Sequence, residues 1–260
     1  VTAGVRARTS RDSGILFPST KIFSPNGVIS LDGTRSIRLK SKMLEEFKGK
    51  GWSLSCWLFL TEGPTGKHRA LFFKGPSPMN DGHRTPSVWL LPHSNRLTVR
   101  FTQVTNHDAG VEIPIDVPLR KWTHLAFTFS NHTEDEEATT FDGSNGSGGS
   151  AMTTTDQGSE SSSVGEEASS SSSSSSSASF HLTAWINGRV ELEATSAEKV
   201  LWNDGDLFIG RDPWMLGPKG LLLGLSLFGR ALDSTEIDVE YHALRDDLLP
   251  LRDDGDDASF

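Results

Sequence analysis

Three carboxylates at alternate positions, Glu236, Asp238 and Glu240, are the most suggestive chemical grouping in the chain. On a β-strand the period of two would set all three on one face. Carboxyl groups about 5–5.5 Å apart serve as nucleophile and acid in retaining glycoside hydrolysis. The neighbouring residues predict a helix instead. Asp233 caps Ser234-Thr235-Glu236, and Glu236 reaches back to complete a capping box. Leu232 and Ile237 occupy the positions of a hydrophobic staple, and Ile237, Tyr241 and Leu244 form an apolar stripe at helical spacing. Residues two apart on a helix point about 200° from each other, so the carboxylates diverge. No other catalytic pattern is present: Gly-x-Ser-x-Gly, His-Glu-x-x-His and the P-loop are all missing from the sequence. The eight histidines, His83, His93, His107 and His124 among them, show no metal-ligand spacing, and His124 reads as a strand residue facing a sheet surface. The expectation is a protein with no catalytic residues.

Binding is the better-supported chemistry. Sugars and peptides stack on exposed aromatic rings beside polar groups. Trp202-Asn203-Asp204-Gly205-Asp206 and Asp212-Pro213-Trp214 have that composition, in loops near strand ends. Asp204 and Asp206 are also calcium candidates, with carbonyls completing the shell. Against this stands a plainer reading, in which Trp202 and Trp214 pack on the edge of the fold and the acids make Asx turns. Trp89 and Arg100 form a second ligand-binding pair, sharing an outer sheet face if their strands are neighbours. Asn131-His132-Thr133 and Asn145-Gly146-Ser147 match glycosylation acceptors, relevant if the chain is secreted.

The elements that position these residues are short strands. Trp52 to Leu60 alternates Leu54, Cys56, Leu58 and Leu60 with Ser53, Ser55, Trp57 and Phe59. Leu97, Val99 and Phe101 share one face and Thr98, Arg100 and Thr102 the other, with Pro92-His93-Ser94-Asn95 as the turn from the strand before. Leu125, Phe127 and Phe129 repeat the pattern, as do Phe180, Leu182, Ala184 and Ile186, which run into an Asn187-Gly188 hairpin turn.

Between those last two strands lies a stretch, residues 131–179, with nine acidic residues, no Lys or Arg, and the serine run Ser169 to Ser177. Such a composition buries too little apolar area to offset chain entropy, so it reads as a disordered insertion. It is a phosphorylation target or, more simply, a tolerated low-complexity expansion. The chain is −9 overall; the insertion carries −9 and the tail Arg245 to Phe260 carries −4, which leaves +4 on the remainder. A charge that small and dispersed is no nucleic-acid footprint. The single cysteine, Cys56, excludes an internal disulfide, and no apolar run is long enough to span a bilayer. The start at Val1 reads as a piece cut from a longer protein.

In order and spacing, six segments resemble the laminin-G-like domains of the concanavalin A-like lectin/glucanase superfamily. They are Ile29 to Gly33, Trp52 to Trp57, Lys121 to Ala126, Trp185 to Gly188, Leu207 to Gly210, and Gly220 through Phe228-Gly229-Arg230-Ala231-Leu232 to Ile237. The resemblance implies an all-β, two-sheet antiparallel jelly-roll sandwich closed by a short C-terminal helix. The implied organisation is a lead segment 1–26, a sandwich 27–244 interrupted by 131–179, and an acidic tail 245–260. Where many such domains carry acidic residues, this chain has Thr34-Arg35-Ser36 and Leu223-Gly224. The second departure is similar to domains inside large intracellular BEACH-type scaffolds. The implied function is a non-catalytic module for glycan or protein ligands, without cofactor unless calcium binds. The alternative is a structural domain of a larger scaffold, and a β-glucanase using Glu236, Asp238 and Glu240 is a third. An extracellular or cell-surface setting and an intracellular one both remain open, as does the oligomeric state.

Overall fold

The computed structural model describes residues 21–23, 27–45, 51–76, 83–131 and 180–248. The insertion beyond Asn131, the Asn145 acceptor, residues 1–20 and the tail beyond Leu248 lie outside them. Thirteen strands are present among the described residues: β1 (Lys21–Phe23), β2 (Ile29–Asp32), β3 (Ile37–Leu39), β4 (Gly51–Leu60), β5 (Arg69–Gly75), β6 (Ser87–Leu90), β7 (Arg96–Phe101), β8 (Ala109–Asp116), β9 (Trp122–Asn131), β10 (Phe180–Ile186), β11 (Arg189–Ser196), β12 (Asp206–Ile209) and β13 (Lys219–Phe228). They are followed by one helix, α1 (Ser234–Leu248). One sheet has the order β1-β13-β4-β9-β10-β11, with β2 also on β13; the other runs β3-β12-β5-β6-β7-β8. Every strand pair is antiparallel. The fold is a two-sheet jelly-roll sandwich.

Period-two alternation explains the core. Trp52, Leu54, Cys56 and Leu58 of β4 turn inward, and the register extends them into rows: Trp52 beside Phe129 and Leu182, Leu54 beside Phe127 and Ala184, Cys56 beside Leu125 and Ile186. Trp52 stacks on Phe129 with centroids 4.1 Å apart. The facing sheet contributes Phe72, Val88, Leu90, Leu97, Val99, Phe101, Leu207 and Ile209. Burial pushes the Cys56 thiol up, so it stays protonated as a core residue.

The outer face of the seven-stranded sheet is closed by α1. Ile237, Leu232, Phe228 and Ala126 form a second apolar cluster with Trp185 against it. Tyr241 stacks on Trp57 at 5.5 Å. The capping box is present: the Glu236 amide donates to Asp233 Oδ1 (2.9 Å), and the Asp233 amide donates to Glu236 Oε2 (3.1 Å). Both oxygens of Glu236 also accept from the Arg230 guanidinium, and Asp238 pairs with His242 at 3.2 Å. Glu236 and Asp238 therefore turn to different partners on a helix rather than converging on a strand. Glu236→Gln is expected to lower stability by about 1 kcal/mol through the weakened cap and Arg230 contact, checked by urea unfolding.

The Asn187-Gly188 turn has both residues at positive φ, 51° and 74°, the type I′ geometry that joins β10 to β11. Three boundaries shift. β1 pairs with β13, so the sheet begins at Lys21 rather than at 27. Asn131 is the last residue of β9, so it belongs to the sandwich rather than the insertion. Arg245 to Leu248 continue α1 rather than starting the tail. β8, which carries Gly110 and Pro114, is not among the strands named from the sequence. β8 is an edge strand, and its register on β7 shifts between Glu112 and Asp116, the irregular stretch that holds Pro114.

Candidate ligand-binding face

With one sheet face covered by α1, the outer face of the six-stranded sheet holds the candidate residues. Its central row follows from the register: Arg38, Phe208, Phe73, Ser87, Arg100 and Gly110 lie side by side across six strands. Trp89 and Arg100 share this face, on neighbouring strands β6 and β7. The Trp89 ring is only 9% exposed, because guanidiniums lie over it: Arg84 with Cζ at 5.1 Å from the centroid and Arg100 at 6.0 Å. His68 approaches the same ring at 5.8 Å, and burial, helped by the charge of Arg100, holds its imidazole below the usual histidine range. Asp108 joins the two arginines. Its Oδ1 is 3.0 Å from Arg84 Nη1 and 3.1 Å from Arg100 Nε, and its Oδ2 is 2.5 Å from Arg100 Nη2.

The loop after β12 returns over this face. Asp212 is 1% exposed, and its Oδ1 accepts the amides of Trp214 (2.7 Å) and Met215 (2.5 Å). This is an Asx-type turn. Burial pushes the Asp212 carboxyl above the ordinary range against the pull of those amides and of Arg211 and Arg84. The turn sets Trp214 edge-on to Phe73, centroids 5.2 Å apart, with 47% of Trp214 still exposed. Trp214 thus offers a fixed, open ring.

At one end of the face is a cleft of about 470 Å³, lined by Arg38, His83, Asn203, Asp204 and Asp206 and by the backbone of Gly75, Pro76 and Gly205. Its floor is a backbone-on-backbone contact: a Cβ on Gly205 would sit 1.9 Å from the Gly75 carbonyl carbon, so only glycine fits. Asn203 is occupied in holding this floor. Its side chain accepts the Gly205 amide (3.0 Å) and donates to Lys74 O (3.2 Å), while Lys74 Nζ donates to the Asn203 carbonyl. Asp206 accepts the Ser41 amide at 2.7 Å, pairs with Arg38, and lies 3.5 Å from Lys40. Burial opposes ionisation there, but the Ser41 amide and the Arg38 and Lys40 charges together hold the carboxyl below the usual range. Calcium bound by Asp204 and Asp206 would have to displace those two cations. No cluster of three or more potential ligand side chains exists among the described residues.

Two other sequence candidates lie apart. Trp202 is half-buried and packs on the inter-sheet core, as its plainer reading had it. Asn131 is 6% exposed at the end of β9, and the rest of its acceptor triplet, His132 and Thr133, lies outside the described residues. Among the described residues no helix is long and apolar enough to cross a membrane.

Residues 31–177 match the concanavalin A-like lectin/glucanases superfamily. The chain belongs to that superfamily. Solved structures of the same fold include NanB with Optactamide, at 13% identity and TM-score 0.54 over 84% of this chain and 28% of that one. They also include botulinum neurotoxin type C, at 10% identity and TM-score 0.48 over 80% and 39%, and the receptor binding domain of botulinum neurotoxin D, at 9% and 0.48 over 84% and 47%. The chain spans less than half the length of each of these three. No curated protein matches it.

Trp89 and Arg100 are named as a pair from the sequence; the structure sets beside them Arg84, Asp108 and His68, which are not. These three come from loops, and only the pairing of β5, β6, β7 and β8 brings them to one ring. The signal available was the parity of Trp89 and Arg100, which sends both side chains outward.

Proposed function

We propose that this lectin-like domain is a non-catalytic binding module that takes a glycan on the outer face of its six-stranded sheet. One observation carries the reading: Trp214 is held open on an Asx turn against Phe73, whose row on the sheet also holds Arg38 and Arg100, the latter over the ring of Trp89. An aromatic platform flanked by fixed polar arms is the arrangement that orients a saccharide. Membership of a superfamily that includes lectins supports it, by analogy of fold. The divergence of Glu236 and Asp238 on α1 supports binding over hydrolysis.

The test is a glycan array probed with the full chain, with calcium and with chelator, followed by calorimetry on the best ligand. Trp214→Ala is expected to weaken binding at least tenfold while leaving the melting temperature within a degree or two, since the ring is half exposed. Silence across the array from folded protein, or full affinity in the Trp214 variant, overturns the proposal. Equal binding in calcium and chelator is the expected result, given the cations already at Asp206.

A further inference from the structure

We infer that the saccharide bound on this face is acidic, and that its anionic group displaces Asp108 from between Arg84 and Arg100. The inference rests on the proposed glycan-binding reading and names the ligand's class.

The arrangement separates a fixed part from an exchangeable one. Arg84 and Arg100 are largely buried, at 15% and 27% side-chain exposure, and both guanidiniums are laid against Trp89. Their positions are set before any ligand arrives, so little side-chain entropy remains to be lost on binding. Asp108 is 52% exposed and sits in the turn between β7 and β8, its amide bonded to Asn106 Oδ1 at 3.1 Å. Its carboxylate spans both arginines through three contacts. Two fixed cations bridged by an exposed, loop-borne carboxylate form a clamp whose preferred guest is already displayed: a planar or tetrahedral oxyanion with two oxygens to offer. Phe73, which carries Trp214, is two strands from Arg100 across Ser87, about 10 Å at ordinary strand spacing. A short oligosaccharide spans that distance, one ring on Trp214 and an acid group in the clamp. Arg211, whose Nε donates to the Asp212 carbonyl at 2.9 Å, places a further cation beside the buried Asp212 carboxylate.

The experiment is calorimetry of the full chain against three matched pairs: tetragalacturonate and its methyl ester, heparin hexasaccharide and its desulfated form, and sialyllactose and lactose. At least one acidic member is expected to bind tenfold or more tightly than its neutral partner. Asp108→Asn is expected to strengthen the acidic ligand at least threefold and leave the neutral one unchanged. Arg100→Gln and Arg84→Gln, each checked for folding by thermal melting, are expected to abolish the difference within the pair. Arg189→Gln on the other sheet is the control and preserves it. Equal affinity for both members of every pair that binds, or weaker acidic binding in Asp108→Asn, overturns the inference while the glycan-binding reading stands. No binding by any member, with an equally silent array, overturns both.

Discussion

Arg69→Ala is expected to lower the unfolding free energy by about 4 kcal/mol, a loss of about 10 °C in melting temperature for a domain of this size. Arg69 is buried at the start of β5. Its Nη1 donates to the carbonyls of Glu62 (3.1 Å) and Gly63 (2.9 Å), and its Nη2 donates to Asn95 Oδ1 at 3.0 Å. One guanidinium thus ties the loop before β5 to the turn between β6 and β7. Asn95 extends the tie, since its amide donates to Asp116 Oδ1 at 2.7 Å and its carbonyl accepts from the Val117 amide at 3.1 Å. Truncation to alanine strands the buried Asn95 Oδ1 and the half-buried Glu62 and Gly63 carbonyls, and leaves a cavity as well. Lysine keeps the charge but cannot fork between two loops, so Arg69→Lys is expected to recover less than half of the loss. Urea unfolding of the three proteins is the measurement. A loss below 1 kcal/mol in the alanine variant would mean that the loops hold themselves.

Acid is expected to act through His124. Its side chain is fully buried under α1, against the stacked rings of Trp57 and Tyr241, with Nε2 2.9 Å from Ser55 Oγ and no partner for Nδ1 among the described residues. Burial lowers its pKa from 6.5 to about 4. Above pH 6.5 the imidazole is neutral in both the folded and unfolded chain and stability does not depend on it. Below that, the unfolded chain takes up a proton that the folded domain refuses. Stability therefore falls as pH falls, by on the order of 3 kcal/mol when pH 4 is reached. Other groups titrate in the same window, so the decisive quantity is the difference between wild type and His124→Gln. Unfolding free energies at pH 7, 5.5 and 4.5 should fall more steeply for wild type, by up to one proton's worth of slope. Parallel curves would show that the imidazole already carries its proton in the folded state.

Legibility followed the range of the interaction. The capping box, the staple and the Asn187-Gly188 turn depend on residues within five positions of one another, and each was readable. The alternation of β4, β7 and β9 was equally clear, because a sandwich strand shows its two faces in its own sequence. β8, with Gly110 and Pro114 inside it, shows no such clean pattern, and its edge place and register shift depend on β7. The site was legible where parity sufficed, at Trp89 and Arg100, and illegible where distant segments meet. The pairing of Asp206 with Arg38, on a strand far away in sequence, is one such meeting. Trp202 and Trp214 are the same residue type in similar loops, yet one packs on the core and the other is propped open by Asp212. That contrast depends on the path of the loop, which neither composition nor spacing encodes.

The register of β9 on β10, with Asn131 opposite Phe180, has an evolutionary corollary. The two chain ends at this junction stand one strand spacing apart, so a connection of almost any length can join them. Each doubling in length of an unstructured connection costs only about 0.6 kcal/mol. Replication slippage can lengthen or shorten the serine run without moving a core residue, and selection on the domain is nearly blind to it. Length in this region is therefore expected to vary freely between even close kin, while the paired residues on either side hold still.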